Sequence, residues 1–424
     1  MAAPPEARRV RSGTFRALRH RDFALFWSAA FVSNAGSWMQ NAAVPYVLYR
    51  ATGSPAWVGV AGFAQYFPAM LLGPVGGVLA DRFPRKQVTL AVNLVGVVAA
   101  VGLAIAWHDG NASPWTTVGL VTLTGVVTGL GLPAWQSLMP LLVPRALLQN
   151  AIALNSAQFN ASRAVGPAVA GLLLHRFGAE VVFAVNAVSY GAVLLAVAAT
   201  RSVAAGAPAG EGPWEQFRRG LGYARRNRGI LLAVALVTCV AALGSPVVQF
   251  AAVFARDVFE VGDRAYGVLV GALGLGAVVS ALALAARGES ITRSKQASVA
   301  LVCYAFSVIA FAVAPVYGVA VAAMLAMGAL YMATVNALNT SIQLLVDDEF
   351  RGRALSLYAI GITGGYPFGS LVQGWIAEVV GVRATVAGSG CILGLIALAV
   401  LRRPGLIAHL DVRRADVTPV GRRP

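Results

Sequence analysis

Long apolar runs joined by short, Arg-bearing connections recur from one end of this chain to the other, and that recurrence limits its fold more than any other feature. A helix needs about 20 apolar residues to cross the hydrocarbon of a bilayer. Runs of that order fall at residues 23–49, 55–80, 87–107, 115–140, 149–175 and 179–199, and again at 229–255, 264–286, 296–314, 316–343, 353–380 and 382–401. Twelve crossings use nearly all of the 424 residues, so no room remains for a large water-facing domain. Backbone polar groups in hydrocarbon must be satisfied within the segment, which helices do. The expected fold is therefore an all-α polytopic membrane protein with twelve transmembrane helices. Composition agrees: 12% of residues are charged, against about 25% in soluble domains, and mean hydropathy is +0.71.

The polar segments divide the chain. Residues 1–22 form a basic arm with Arg8, Arg9, Arg11, Arg16, Arg19 and Arg21, suited to anionic lipid headgroups. Residues 23–200 hold six crossings, 201–228 form an Ala/Gly/Pro-rich and then basic linker, 229–402 hold six more, and 403–424 form a basic tail. With both termini cytoplasmic, the arm, alternate loops, linker and tail hold most of the 33 Lys and Arg, leaving Arg50, Arg176, Arg256, Arg264 and Arg383 to the other side. The positive-inside bias selects that orientation.

A net charge of +16 raises nucleic acid as a partner, but the bases come in short clusters without the interleaved aromatics that stack on bases. They read as topology signals. Cys239, Cys303 and Cys391 lie inside apolar runs, against a disulfide framework or a metal site. His20, His108, His175 and His409 are scattered without a nucleophile motif, so neither an enzyme, a metal nor a cofactor is expected. The basic N-terminal arm and the length of the first apolar run argue against a cleaved signal peptide.

The two six-crossing segments look like copies. A shift of 203 lays Gly166, Gly171 and Gly178 on Gly369, Gly374 and Gly381, and a shift of 208 lays Asp81 and Arg85 on Glu289 and Arg293. Leu and Val matches are cheap in an apolar chain; three glycines in one register are not.

One polar turn breaks the apolar pattern. In Gly73-Pro-Val-Gly-Gly-Val-Leu-Ala-Asp-Arg-Phe-Pro-Arg-Lys86, a small residue at Gly77 is followed by Asp81 at the end of the run and by Arg82, Arg85 and Lys86 in the turn. Orientation signals explain the bases but not the acid, since carboxylates contribute little to topology. The order resembles the G-x-x-x-D-R-x-x-R-K signature between helices two and three of the major facilitator superfamily, with Pro84 where many members have Gly. That resemblance implies two pseudo-symmetric six-helix halves, a site at the midplane between them and alternating access by rocking. It also implies that Gly77 admits a second helix and that Asp81 faces the N-terminal end of the eleventh helix near residues 352–355 as a cytoplasmic gate. Asp347, Asp348 and Glu349 are then natural partners for Arg82 and Arg85.

Candidate site residues follow two lines. Asn34, Trp38, Asn41 and Pro45 share one helix face, polar and aromatic among apolar neighbours. Such a face avoids lipid, so these residues either bond a neighbouring helix or line a cavity. By resemblance, helices one, four, seven and ten line the central cavity, which adds Trp135, Gln136, Ser245, Gln249, Tyr331, Asn336 and Asn339. Thr117, Thr124 and Thr128 share a face with Trp135, but threonines commonly bond their own helix. The second line is Arg163-Ala-Val-Gly166-Pro167-Ala-Val-Ala-Gly171, similar to the fifth-helix motif of drug antiporters in the superfamily, with Ala170 at its first Gly. Pro167 would kink the helix and the small face would pack closely. Arg163 either binds an anionic group, pairs with a polar neighbour or snorkels; the sequence leaves its depth open.

Phe15-Arg-Ala-Leu-Arg-His-Arg-Asp-Phe23, Gly36-Ser-Trp-Met-Gln40, Thr52-Gly-Ser-Pro55 and Glu349-Phe-Arg-Gly-Arg353 resemble the group of enterobactin-type siderophore exporters and macrolide efflux pumps. The resemblance implies a monomer in the bacterial plasma membrane that exports a hydrophobic or amphiphilic small molecule by proton antiport. Intramembrane acids, which proton coupling normally uses, are missing: Ser37 stands where such exporters often have Asp, and Asp22, Asp257, Glu260 and Glu378 sit near crossing ends. A nutrient uptake permease, expected to carry several charged anchors, and a non-transporting receptor or scaffold are the alternatives.

Overall fold

A computed structural model describes residues 14–110, 112–200, 222, 225, 227–287, 292–347 and 350–411. Most of the arm and linker, Glu289, Asp348, Glu349 and the tail beyond residue 411 lie outside the described residues. The described residues form helices and no strand. The long ones are α1 (Arg21–Thr52), α2 (Pro55–Arg82), α3 (Arg85–Ala106), α4 (Pro114–Leu138), α5 (Leu148–Phe177), α6 (Ala179–Ala199), α7 (Arg228–Val258), α8 (Asp263–Arg287), α9 (Arg293–Ala312), α10 (Tyr317–Leu345), α11 (Arg351–Val380) and α12 (Val382–Leu401). Among the described residues, nine helices are long and apolar enough to cross a membrane. The other three, α1, α5 and α11, have 32, 30 and 30 residues, long enough for the hydrocarbon at about 1.5 Å per residue. Their polar side chains lower their hydropathy, and two of them carry the candidate site residues Asn34, Trp38, Asn41 and Arg163.

Local sequence sets the helix ends. α1 stops where Gly53 takes a φ of 64° and donates its N–H to Tyr49 O at 2.8 Å, a left-handed cap that a Cβ would strain. Two residues later Pro55 opens α2, where its missing N–H costs nothing. Asn227 caps α7, its side chain accepting from the N–H groups of Gly229 and Ile230.

Helices α1–α6 pack among themselves, as do α7–α12, and the two sets join mainly along α2 against α11 and α5 against α8. Each seam has a glycine pair at its centre. A Cβ on Gly171 would lie 2.7 Å from Gly267 Cα, and one on Gly374 would lie 2.8 Å from Gly59 Cα. Gly171 and Gly374 are 203 residues apart, and Gly59 and Gly267 are 208 apart, the two shifts that relate the segments in sequence. The glycine pairs are thus two copies of one contact. Small residues let helices approach closely where lipid gives no hydrophobic drive to association.

Helix α7 departs from α geometry with π-turns at Val240–Gly244 and Phe254–Val258. Pro246 has no N–H to return to Ala242 O one turn earlier. Gln373 of α11 takes over, its Nε2 donating to Ala242 O at 2.7 Å and Leu243 O at 3.2 Å. Gly369, one turn before Gln373, leaves room: a Cβ there would meet Ala242 O at 2.0 Å.

Candidate functional site

The Asp81 turn lies at one end of the bundle. Lys86 donates to Ala198 O at 2.9 Å and Thr200 O at 2.7 Å, placing an ammonium on the last carbonyls of α6, where the helix dipole favours a cation. Arg85 Nη1 reaches Ser137 O of α4 at 3.4 Å, while its buried Nε has no partner. These bases fasten α3 to its neighbours. Asp81 and Arg82 are exposed and make no hydrogen bond or ion pair among the described residues. A methyl group added to Gly77 would meet nothing within 4 Å, and neither would one on Gly352 at the start of α11. The close approach expected at Gly77 falls one residue earlier: a Cβ on Gly76 would lie 2.5 Å from Gly129 O of α4. Neither Gly77 of α2 nor Gly352 of α11 packs against a neighbouring helix at the Asp81 end.

At the opposite end the two sets of helices are tied together. Tyr46 Oη donates to Asp263 Oδ1 at 2.5 Å, and Tyr49 Oη donates to Asp257 Oδ2. Tyr266 Oη donates to Ala42 O at 2.7 Å. The Glu378 carboxylate accepts from Ser54 Oγ at 2.7 Å and from Ala56 N at 3.1 Å, a negative charge at the start of α2 supplied by α11. The glycine pairs lie on the same side.

Between the closed end and the open end is a pocket of about 40 Å³ bordered by Trp38, Asn41, Tyr66, Gln249, Tyr266 and Tyr366, among others. That holds a few waters, far less than the several hundred Å³ of a drug-sized site. Any larger ligand must extend toward the Asp81 end, where the helices part. Arg163 stands there, one turn from Pro167, with its guanidinium 5.6 Å from the ring centre of Trp38 and 5.7 Å from that of Tyr331. Leu148 and Phe177 bound its helix, so Arg163 is about 21 Å from either end at 1.5 Å per residue. No arginine stem spans that distance, which counts against snorkelling to either end of α5.

The remaining candidates separate into groups. Asn41 Oδ1 accepts from Gln65 Nε2, and Asn34 Nδ2 donates to Gln158 Oε1 at 3.2 Å; both bond neighbouring helices. Asn34 and Trp135 border a second cavity of about 150 Å³ among α1, α3, α4 and α6, together with Ser33, Ser37, Thr89, Asn93 and Thr128. Ser245 Oγ lies 3.3 Å from Val240 O on its own helix. Gln136 and Asn336 are exposed and border neither pocket, and Asn339 accepts from Gln343 on its own helix at 2.6 Å. Thr117, Thr124 and Thr128 bond carbonyls within α4 or at its cap.

A family profile described as "Transmembrane secretion effector" matches residues 12–413, almost the whole chain. This chain belongs to that family of major facilitator transporters. Macrolide efflux protein A of Streptococcus pyogenes is 27% identical over 41% of this chain and 43% of its own length. The chain spans about two-fifths of the first curated relatives it matches. The multidrug efflux pump Tap of Mycobacterium tuberculosis is 24% identical over 93% of this chain and 96% of its own. A crystal structure of the nucleoside transporter NupG superimposes with a TM-score of 0.71 at 12% identity, covering 92% of this chain and 100% of that one, a likeness of fold. The chain is a multi-pass membrane protein and its relatives are transporters, not enzymes.

Within this transporter fold, the closed pocket draws on more helices than one, four, seven and ten. Tyr66 of α2, Pro167 of α5, Tyr266 of α8 and Tyr366 of α11 contribute, while α4 lines the second cavity. Sequence reasoning missed Tyr66, Tyr266, Tyr366 and Gln373. An available signal was the tyrosine two residues before Pro68 in α2 and one before Pro367 in α11, a polar aromatic in each of two helices that join the halves.

Proposed function

We propose that this chain exports a hydrophobic or amphiphilic small molecule by alternating access in exchange for protons. The observation that carries the proposal is a ring-lined pocket at the junction of α1–α6 and α7–α12, tied shut at one end, while at the other end Asp81 is exposed and Gly77 and Gly352 have open space around them among the described residues. Export is favoured by the functions for which the relatives are named, macrolide efflux and multidrug efflux.

The basic residues favour a cytoplasmic side for the Asp81 end and both termini, with the arm and tail against anionic headgroups, and the bacterial relatives favour a bacterial plasma membrane. Residues 23–200 and 229–402 act as the two rocking halves and 201–228 as their joint, within a single chain. The structure then corresponds to the state open to the cytoplasm. In the opposite state Asp81 closes on the N-terminal end of α11, where the helix dipole favours a carboxylate. Among the described residues, the acids that join the halves are Asp257, Asp263 and Glu378, on the far side from Asp81.

Accumulation of a panel of fluorescent amphiphiles in pump-deficient bacteria expressing the chain tests this reading. Lower accumulation, abolished by a protonophore, is expected. With expression confirmed, exclusion of no compound would overturn broad efflux.

A further inference from the structure

Arg163 is a cation midway along α5 with no anion against it among the described residues. Its guanidinium carries five N–H donors, yet among the described residues it makes no hydrogen bond and no ion pair; its contacts are the ring faces of Trp38 and Tyr331. Those rings belong to α1 and α10, one from each half, so the charge stands between the halves where the pocket opens. Cation–π contact offsets part of the cost of desolvating it but leaves the fork of donors unused. The polar groups of the pocket that Trp38 borders are neutral: Asn41, Gln249 and the hydroxyls of Tyr66, Tyr266 and Tyr366. The acids of the described helices sit near helix ends, at Asp22, Asp81, Glu180, Asp257, Asp263 and Glu378.

From this geometry we infer that the transported molecule is an anionic amphiphile, its carboxylate or similar oxyanion held by Arg163 and its apolar body against the surrounding rings. This rests on the export reading above and names its substrate class. The chemistry is directional. A planar guanidinium matches a carboxylate with two parallel N–H···O bonds, and the pair strengthens when the halves close over it and exclude water. A cationic amphiphile at the same place would be repelled by the same charge. Trp38 and Tyr331 hold the guanidinium from opposite halves, so an anion bound to it is presented to the groups that move apart.

The test uses the full chain in lipid nanodiscs and three dansyl-decyl compounds that differ only at the end group: carboxylate, carboxamide or trimethylammonium. Binding is followed for the wild type, Arg163→Gln and Arg163→Lys. The wild type should bind the carboxylate at least tenfold more tightly than the carboxamide, and the trimethylammonium least. Arg163→Gln should collapse the carboxylate-to-carboxamide ratio toward one. Arg163→Lys keeps the charge without the fork and should retain an intermediate ratio, which keeps the test decisive if the glutamine variant does not fold. Equal or stronger binding of the trimethylammonium compound by the wild type, or an unchanged ratio in Arg163→Gln, overturns the inference while leaving amphiphile export standing. Binding of none of the three overturns both.

Discussion

Tyr46 of α1 donates a hydrogen bond to Asp263 at the first residue of α8, 217 positions later in the chain, at 2.5 Å. It links the first six helices to the last six at the end away from Asp81. Bonds to a charged acceptor contribute about 1.5–3 kcal/mol, so this contact and its neighbour, Tyr49 to Asp257, hold the closed end shut. Tyr46→Phe removes the donor and keeps the ring. A cysteine at Val248, which borders the pocket, should then react about tenfold or more faster with an impermeant maleimide added from that side. An unchanged rate would show that the bond does not contribute to closure.

The glycine seams make a prediction with its own control. Gly374→Val places a side chain 2.8 Å from Gly59 Cα, and such overpacking costs about 1–3 kcal/mol. Gly73→Ala, on α2 where a Cβ meets nothing within 4 Å, should be neutral. Thermal unfolding in detergent should fall by several degrees for the first and stay level for the second. Equal melting temperatures for the two would mean that the backbones do not meet there.

Gln373 replaces the bond that Pro246 cannot make. Gln373→Leu leaves Ala242 O without its partner in a buried site, at a cost of about 1–3 kcal/mol. Pro246→Ala restores a backbone N–H, so the same Gln373→Leu change should cost less in that background. A double-mutant cycle on unfolding reads this directly; strict additivity would contradict the link.

Much of this was legible in the chain. Apolar run length gave the helices within a few residues, because hydrocarbon thickness sets one length for all of them. The 203 and 208 shifts anticipated the paired seams, since a duplicated contact must be written twice. Other features were not legible. Gly76 and Gly77 are adjacent and chemically identical, and which of them meets α4 depends on the rotation of α2. The role of Gln373 depends on a proline 127 positions earlier. The depth of Arg163 followed only once α5 was seen to run unbroken through Pro167 from Leu148 to Phe177. Gln136, Asn336 and Asn339 have the same polarity as Asn41, and sequence alone did not separate exposed positions from the pocket.

Asp81 is exposed and has no partner among the described residues, so its charge should matter to transport and little to this state's stability. Asp81→Asn should leave thermal unfolding within about 0.5 kcal/mol, as for surface changes generally, and reduce efflux severalfold. Undiminished efflux would remove the gate assigned to that turn.

Alternating access is tested most directly by holding the closed end shut. Ser54 Oγ and the Glu378 carboxylate lie 2.7 Å apart across α2 and α11, on a surface that a short bis-methanethiosulfonate, which joins two cysteines through reducible disulfides, can reach. Ser54→Cys with Glu378→Cys would be made in a protein with Cys239, Cys303 and Cys391 replaced by Ser, and efflux measured before cross-linking, after it and after reduction. Rocking between two open states predicts that complete cross-linking stops transport, preserves ligand binding from the Asp81 side, and is reversed by reductant. Full transport through a completely cross-linked protein would contradict it.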